Sequence, residues 1–258
     1  KVYPNSNLRG TITNLTTNMY IESGDTDKAI ESLNNSSSNT DDVAVKETNT
    51  TKIITLKLQK KDYKDIEKYI AELPTEEERT YYSAQYYAAK KDPKAVKEYE
   101  TLLQYDKYKA YASKGLGDYY FDKKDLSKAK KYYGTYATVN KNPDEYILYR
   151  LGQANEKENN LKMALTDYKA VYSKNGKLAN DAMLKAAEIY DKQENVAEAE
   201  KLFTKLYAVK NNKELKAYSM EKLIYYKLVK NNTKEAKKLY EELRKLDAKR
   251  AEKFKAYF

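Results

Sequence analysis

Seven short segments of this chain share one pattern and recur at a nearly constant interval. In each segment, a small or apolar anchor residue is followed four positions later by a large apolar or aromatic residue. The pairs are Ala29/Leu33, Ile66/Ile70, Ala95/Tyr99, Ala129/Tyr133, Ala164/Tyr168, Ala199/Phe203 and Ala236/Tyr240. Successive anchors are 37, 29, 34, 35, 35 and 37 residues apart. A period near 34 predicts stacked helix–turn–helix repeats, which offer a long open surface rather than a closed pocket.

A second set of residues precedes five of the anchors by thirteen and twelve positions. These residues are Tyr82-Ser83, Leu116-Gly117, Leu151-Gly152, Ala186-Ala187 and Leu223-Ile224. A small residue in the first helix of a repeat, facing the small anchor of the second helix, lets two antiparallel helices approach closely. We therefore expect Gly115 and Gly117 to serve helix packing and not a phosphate-binding loop.

Helix-start signals agree with this interpretation. Capping residues stand three positions before an acidic residue at Asp62/Asp65, Thr75/Glu78, Asn195/Glu198 and Asn232/Glu235. That is the spacing of the capping box or a close variant of it. Because the chain has only 7 Gly and 4 Pro residues, many strands joined by tight turns are not expected. The sequence predicts about fourteen helices and almost no strand.

These residues together resemble the tetratricopeptide repeat family. The segment Lys114–Pro143 shows the pattern best, and the resemblance covers residues 76–246. It is weaker in Asn7–Asn35 and Asn49–Pro74, which are interpreted as degenerate repeats or as helices of another kind. The resemblance implies an all-α fold, an α–α superhelix that forms a right-handed solenoid of about seven helix–turn–helix repeats.

Three regions are predicted along the chain. Residues 1–50 form a degenerate N-terminal helical repeat and a mobile connection, because Asn34–Thr51 is rich in Asn, Ser, Thr and Asp. Residues 51–246 form the solenoid, and residues 247–258 a capping tail, since a solenoid needs its last face covered. The aromatic residues of the tail either fold back on the last repeat or face a partner or a second copy.

The net charge of +10 lies mostly in the repeats and rises toward the C-terminus. A basic balance is compatible with nucleic acid, anionic lipid or acidic protein partners. Only five of the 49 basic residues are Arg, and Lys alternates with acidic residues along the helices. Since bidentate recognition of phosphates and bases favours Arg, nucleic acid is an unlikely partner.

The composition argues against catalysis. The chain has no His and no Cys, which removes His-based acid–base chemistry, Ser–His–Asp triads and the usual zinc sites. Acidic runs such as Asp41-Asp42 are expected at helix starts or on solvated faces. We therefore expect a protein that is not an enzyme, with no metal site and no cofactor. No apolar run approaches the roughly 20 residues that a transmembrane helix needs.

Tyrosine is the one marked excess, with 28 Tyr against 4 Phe and no Trp. In the tetratricopeptide family the first helix of each repeat lines the concave surface. Carried over to this sequence, that predicts a partner-binding groove of Tyr87, Tyr111, Lys114, Phe121, Tyr146, Tyr149, Arg150, Tyr218, Tyr225 and Leu228. Tyrosine suits recognition because it gives a large contact area at low entropic cost. The same residues are also compatible with partly buried packing.

One branch of the family grips a C-terminal carboxylate with Lys, Asn and Arg residues on successive first helices. Here Lys114 could supply the Lys, but Asp118 stands where the Asn is needed. Tyr146 and Gln153 do not supply the remaining groups, so this carboxylate clamp is not expected.

The predicted function is a non-catalytic scaffold that binds a peptide or protein segment in the concave groove. Two alternatives remain open. One is a structural homo-oligomer assembled through the C-terminal helix, and the other is a binder of an anionic polymer or lipid surface.

The segment 172–206 is similar to bacterial cell-envelope proteins of this fold, namely the periplasmic coordinator of the Tol–Pal system and the outer-membrane assembly lipoprotein. It departs from them at Ser173-Lys174-Asn175-Gly176, where a Tyr-Pro is expected. The resemblance implies a periplasmic or cell-envelope location, with the signal outside this fragment. A cytoplasmic location is the alternative.

Overall fold

The computed structural model describes residues 7–258, with side chains from residue 10 onward, and these residues are helical with no strand. Fifteen α-helices and a closing 3-10 helix follow one another along the described chain. They are α1 (Asn7–Glu22), α2 (Thr26–Ser38), α3 (Val43–Lys60), α4 (Ile66–Ala71), α5 (Glu76–Ala89), α6 (Lys94–Leu102), α7 (Asp106–Asp122), α8 (Leu126–Val139), α9 (Glu145–Lys157), α10 (Leu161–Tyr172), α11 (Ala179–Lys192), α12 (Val196–Tyr207), α13 (Lys213–Val229), α14 (Thr233–Leu246), α15 (Ala248–Ala251) and the 3-10 helix Glu252–Tyr257. The all-α prediction is confirmed.

The chain is built of helical hairpins, each with a first helix (α1, α3 and on to α13) and a second helix (α2, α4 and on to α14). All seven anchor pairs lie in the second helices, and all fourteen of their side chains are buried. Each second helix therefore turns the same stripe inward, which is why the sequence repeats with a period near 34. The prediction of tandem helix–turn–helix repeats is confirmed.

Two compact units make up the described chain, the first ending at Val139 and the second beginning at Asn140. Unit 1 contains α1 to α8, and unit 2 contains α9 to the C-terminal 3-10 helix. Within each unit, successive helices pack on one another in the order of the chain.

Glycines in the first helices let second-helix rings lie directly on the backbone. A Cβ added at Gly117 would come within 2.5 Å of the Tyr133 ring, and one at Gly152 within 2.7 Å of the Tyr168 ring. Gly115 faces Tyr99 of the preceding hairpin, at 2.3 Å. These distances leave no room for a side chain, so the expected packing role of Gly115 and Gly117 is confirmed.

The turn inside each hairpin has one repeated geometry. The residue just before the Asp or Asn of the turn takes a positive φ in all seven hairpins, at Gly24, Lys61, Lys91, Lys124, Asn159, Glu194 and Asn231. At Lys124, for example, its N–H donates to the Phe121 carbonyl at 3.0 Å, and the next N–H, of Asp125, donates to Tyr120 at 2.9 Å. This is the Schellman arrangement, which satisfies the carbonyls at the end of a helix.

An Asp or Asn then begins the second helix. The side chains of Asn195 and Asn232 accept from the N–H groups of Glu198 and Glu235, as the capping-box spacing predicts. Thr75 caps α5 in the same way, with its hydroxyl accepting from the Glu78 N–H at 3.1 Å. The predicted pair Asp62/Asp65 differs, because Asp62 accepts from the Lys64 N–H at 3.1 Å and Asp65 makes no side-chain capping bond to α4.

The α5–α6 turn is one residue shorter than the others. Asp92 stands three residues before its anchor Ala95, whereas the turn Asp or Asn stands four residues before the anchor in the other six hairpins. Counting back from Ala95 therefore misplaces α5 by one position. Ala84, with no exposed surface, fills the small-residue place that the sequence pattern assigned to Ser83, which is only half-buried.

The stretch Asn34–Thr51, predicted as a mobile connection, is helical except for residues 39–42. It contains the end of α2 and the first half of α3, and the buried Asn49 donates to the Ser37 hydroxyl at 3.1 Å across the two helices. The structure thus divides the chain near residue 139, while the predicted division near residue 50 falls inside α3.

The C-terminal tail folds back on the last hairpin. Phe254 is buried beside Ala217, Met220 and Ile224 of α13, and the Phe258 ring stacks on Tyr240 with centroids 4.9 Å apart. Arg250 fixes this position through carboxylates of α13, at 2.9 Å from Glu214 and 3.2 Å from Glu221. Of the two alternatives for the aromatic tail, the structure has the folded-back one.

Candidate functional site

The predicted groove residues all lie on first helices. Tyr87 is on α5, Tyr111, Lys114 and Phe121 on α7, Tyr146, Tyr149 and Arg150 on α9, and Tyr218, Tyr225 and Leu228 on α13. Tyr225 is 56% exposed, Phe121 is only 7% exposed, and the other eight are half-buried. Phe121 is therefore buried, while more than half of the Tyr225 side chain is open to a partner.

Successive first helices of unit 2 are joined side by side. The Glu145 carboxylate at the start of α9 accepts the backbone N–H groups of Lys177 and Leu178, just before α11, at 2.9 and 3.2 Å. Asp191 of α11 pairs with Lys222 of α13 at 2.6 Å. These contacts hold the side chains of α9, α11 and α13 in fixed register within this unit.

Tyr146 and Arg150 form a local unit on α9. The Arg150 Nε donates to the Tyr146 hydroxyl at 3.0 Å, and the guanidinium lies 5.2 Å from the centre of the Tyr146 ring. The Arg150 Nη1 also donates to the Gln153 side chain at 3.2 Å. A guanidinium held against an aromatic face in this way is pre-organised for recognition, because its planar fork is already fixed.

Tyr149 stands at the border between the core and this surface. Its ring lies 5.6 Å from that of the buried Tyr168, and it packs against the core of unit 2. Burial, together with the nearby carboxylate of Asp181, raises the pKa of the Tyr149 hydroxyl above its ordinary value. Replacing Tyr149 would disturb packing as well as any contact with a partner.

Tyr218 lies between two cations. The Lys222 ammonium and the Arg250 guanidinium are each 5.8 Å from the centre of its ring. Burial opposes ionisation of Asp191, but the hydrogen bonds from Lys222 and Tyr226 outweigh it and hold the pKa of that carboxyl below its ordinary value. The cations of this surface are thus positioned by ionised carboxylates.

One repeat position carries a cation in all three hairpins of unit 2. Arg150, Lys185 and Lys222 each stand 14 residues before their anchor alanine. Lys185 pairs with Glu188 at 3.0 Å and is half-buried, as the other two are. The sequence analysis missed Lys185 and Lys222, although their constant offset from the anchors could have revealed them.

We define the first-helix face of unit 2 as a set of tyrosines and cations carried by α9, α11 and α13. They are Tyr146, Tyr149, Arg150, Lys185, Tyr218, Lys222 and Tyr225. The face combines aromatic rings with positioned cations.

In unit 1 the structure brings a different tyrosine onto the first helices. Tyr81 of α5 stacks on Tyr108 of α7 at 4.6 Å and meets Tyr111 edge-on at 5.0 Å. Tyr87 instead lies under the ammonium of Lys94 of α6, 5.4 Å from its ring. With the one-residue shift of α5, Tyr81 stands at the repeat position of Lys114 in the next hairpin, and Tyr87 stands one position away from the place foreseen for it.

Lys114 of unit 1 is tied to a carboxylate. Its ammonium lies 2.7 Å from Asp118, which also accepts a hydrogen bond from the Tyr133 hydroxyl at 2.7 Å. An anionic chain terminus would have to compete with Asp118 for this lysine.

One aromatic residue of the C-terminal tail is exposed and could contact a second copy. Tyr257 is 62% exposed, while Phe254 and Phe258 are engaged within the last hairpin. Assembly through the C-terminal helix stays a prediction, which light scattering with and without residues 255–258 would test.

Across residues 7–258, no helix is long and apolar enough to cross a membrane. The same part of the chain holds no group of three or more acidic side chains arranged to bind a metal ion.

Comparison with known proteins identifies a repeat segment within unit 2. Residues 149–213 match the tetratricopeptide repeat family, a span that covers the α9–α10 hairpin from Tyr149 onward and the whole α11–α12 hairpin. Comparison with curated protein sequences found no significant match.

Solved structures with the same fold belong to tetratricopeptide repeat proteins. The C-terminal part of a repeat-containing protein from Cytophaga hutchinsonii is 17% identical, with a TM-score of 0.73, over 92% of this chain and 96% of that one. A repeat protein from Parabacteroides merdae is 13% identical, with a TM-score of 0.58, over 93% and 94%. A signal-transduction ATPase with a tetratricopeptide repeat sensor, from Pyrococcus horikoshii, is 14% identical, with a TM-score of 0.67, over 90% and 41%. At these identities the likeness concerns the fold.

Proposed function

We propose that this protein is a non-catalytic scaffold that binds a segment of a partner protein on the first-helix face of unit 2. The observation that carries the proposal is the placement of Tyr146 and Tyr218 beside cations that recur at one repeat position, with Tyr225 exposed on the same helix as Tyr218. Aromatic residues and Arg are the commonest anchors of protein interfaces. A fold of tetratricopeptide repeats supports a protein partner.

The chemistry of the face favours a segment with apolar or aromatic side chains and scattered carboxylates. The rings are held by neighbours, so binding costs little side-chain ordering. The cations Lys185 and Lys222 already have carboxylate partners. Carboxylates of the partner are therefore expected to orient the segment and speed its association more than they raise its affinity. Affinity should therefore come chiefly from the aromatic rings.

Tyr225 is the cleanest probe of this surface. It is 56% exposed, and its ring meets that of Tyr226 edge-on, with centroids 6.0 Å apart. Tyr225→Ala should change the free energy of unfolding by less than about 0.5 kcal/mol. For a true anchor, the same change should weaken partner binding about tenfold or more.

The experiment selects peptides from a displayed random library on the wild-type protein and measures their affinity by calorimetry. Met163→Ala is the matched control, because Met163 is 48% exposed and lies on the second helix α10. Loss of affinity in Tyr225→Ala alone supports the proposal. Equal affinities in all three proteins would refute the assignment of the face.

We further propose that the protein works in the bacterial cell envelope, supported by the similarity of residues 172–206 to envelope repeat proteins. Fractionation of the source cells, followed by detection with an antibody, tests this. Recovery in the periplasmic or membrane fraction supports it, and recovery with cytoplasmic markers contradicts it.

A further inference from the structure

The second helices of unit 2 carry an uneven share of the charge. Their sequences contain nine basic residues, namely Lys162, Lys169, Lys201, Lys205, Lys234, Lys237, Lys238, Arg244 and Lys245. They contain six acidic residues, namely Asp167, Glu198, Glu200, Glu235, Glu241 and Glu242. The basic residues therefore outnumber the acidic ones only modestly, and the charge of the surface depends on which of these side chains are paired.

Four of the six carboxylates are turned toward the first helices. Asp167 accepts a hydrogen bond from Asn155 of α9 at 2.8 Å. Glu200 and Glu235 both pair with Lys227 of α13, at 3.0 and 2.7 Å. Glu242 does the same with another residue of α13, Lys216, at 2.9 Å. These four carboxylates are thus engaged by first-helix groups and form no ion pair with a described lysine of the second helices.

The two remaining carboxylates each pair with a cation of their own helix, Glu198 with Lys201 and Glu241 with Arg244. Seven exposed lysines are left, and none of them forms an ion pair with another described residue. We call them the lysine face: Lys162, Lys169, Lys205, Lys234, Lys237, Lys238 and Lys245. Lys238 acts on Glu242 only from a distance, where it contributes to lowering the pKa of that carboxyl, after Lys216 as the main cause.

We propose that the lysine face binds the surface of an anionic lipid bilayer, independently of partner binding on the first-helix face. The lysines are spread over three helices of successive hairpins, so they form a broad array rather than a groove. Ammonium groups are compact point charges that suit a diffuse layer of headgroups. Each lysine near such a surface adds to the attraction, and the attraction falls off within a Debye length.

A nucleic acid fits this surface less well. Strand binding uses exposed aromatic rings on which bases stack. The aromatic residues of α10, α12 and α14, among the described residues, are buried or half-buried, and Arg244, the one arginine, already pairs with Glu241. Met163 is the large apolar side chain exposed on these helices, so adsorption at headgroup level is expected without insertion.

Co-sedimentation of the protein with lipid vesicles tests the proposal. Vesicles of phosphatidylcholine are compared with vesicles of an equal mixture of phosphatidylcholine and phosphatidylglycerol, at low and at high salt. The test variant is Lys234→Gln with Lys237→Gln and Lys238→Gln. The matched control is Lys64→Gln with Lys68→Gln and Lys97→Gln, three exposed lysines of unit 1 that change the net charge equally.

We expect binding to the anionic vesicles only, abolished by high salt, and about tenfold or more weaker in the test variant. The control variant should stay within about twofold of the wild type. Equal weakening in both variants would show that net charge and not this face is responsible, and would overturn the proposal. Absence of vesicle binding, with salt-sensitive binding to duplex DNA, would equally overturn it in favour of a nucleic acid.

Discussion

At the scale of single residues, the fold depends on contacts in which a tyrosine ring of one helix occupies the space beside a glycine of another helix. The Tyr133 ring lies on the backbone of Gly117, has no exposed surface, and is held by the hydrogen bond from its hydroxyl to Asp118. Because the ring is fixed at both ends, it cannot yield to a new methyl group. The Leu-Gly dipeptides therefore predicted both a close approach and the place where it occurs.

Gly117→Ala tests this contact directly. A Cβ at this position would meet the Tyr133 ring at 2.5 Å, so we expect a loss of about 1–3 kcal/mol in the free energy of unfolding. Gly134→Ala is the matched control, since Gly134 lies within α8 with no atom within 4 Å of the added Cβ. That change should stabilise the protein by about 0.5–1 kcal/mol through helix propensity. Urea unfolding measures both, and equal effects would refute the packing role of Gly117.

At the scale of elements, the turn inside each hairpin sets how the two helices face each other. The residue before its Asp or Asn is left-handed in every hairpin, yet only Gly24 among the seven is a glycine. A non-glycine residue there costs on the order of 1–2 kcal/mol, less for Asn. Most of these turns therefore hold strain that the Schellman hydrogen bonds compensate.

Relief of this strain is measurable at Glu194. Glu194 has a φ of 58°, and its negative charge stands at the C-terminal end of α11, where the helix dipole disfavours it. Glu194→Gly should raise the free energy of unfolding by about 0.5–1 kcal/mol, after the entropy that glycine adds to the unfolded chain. Asn159→Gly should change it little, because Asn tolerates the left-handed region. Thermal unfolding compares the two, and a lower melting temperature for Glu194→Gly would contradict the strain.

The turns also explain where sequence analysis succeeded and where it did not. The period of the anchors predicted the second helices correctly, because each anchor pair is local to one helix. The α5 residues were placed by counting across the turn, and Asp92 begins a turn that is one residue shorter. Tyr87 and Ser83 were consequently assigned one position off, and Tyr81 was missed. Contacts between hairpins, such as Arg250 with Glu214 and Glu221, have no local signal in the sequence.

At the scale of the whole molecule, the tyrosine excess makes the structure sensitive to alkali. Burial raises the pKa of Tyr99, Tyr111, Tyr168 and Tyr226, while tyrosine in the unfolded chain ionises near pH 10. Above pH 10 the folded state therefore retains protons that the unfolded state loses. Stability is complete below about pH 10 and is lost as the pH rises toward the higher folded-state values.

An alkaline titration checks whether stability falls as the pH rises. Tyrosinate absorbance and helical circular dichroism are recorded on the same samples as the pH is raised. We expect a large part of the tyrosinate signal to appear together with the loss of helix, in one cooperative step above pH 10. Complete tyrosine ionisation near pH 10, with the helices intact, would show that these rings are not protected by burial.

Tyrosine-selective NMR is the most direct test of whether a partner segment binds the first-helix face of unit 2. Ring-labelled protein is titrated with a selected peptide, and each signal is assigned by a Tyr→Phe substitution. We predict that the signals of Tyr146, Tyr149, Tyr218 and Tyr225 shift and that those of Tyr172 and Tyr207 of the second helices do not. Shifts at Tyr172 and Tyr207, with the first-helix tyrosines unmoved, would contradict it.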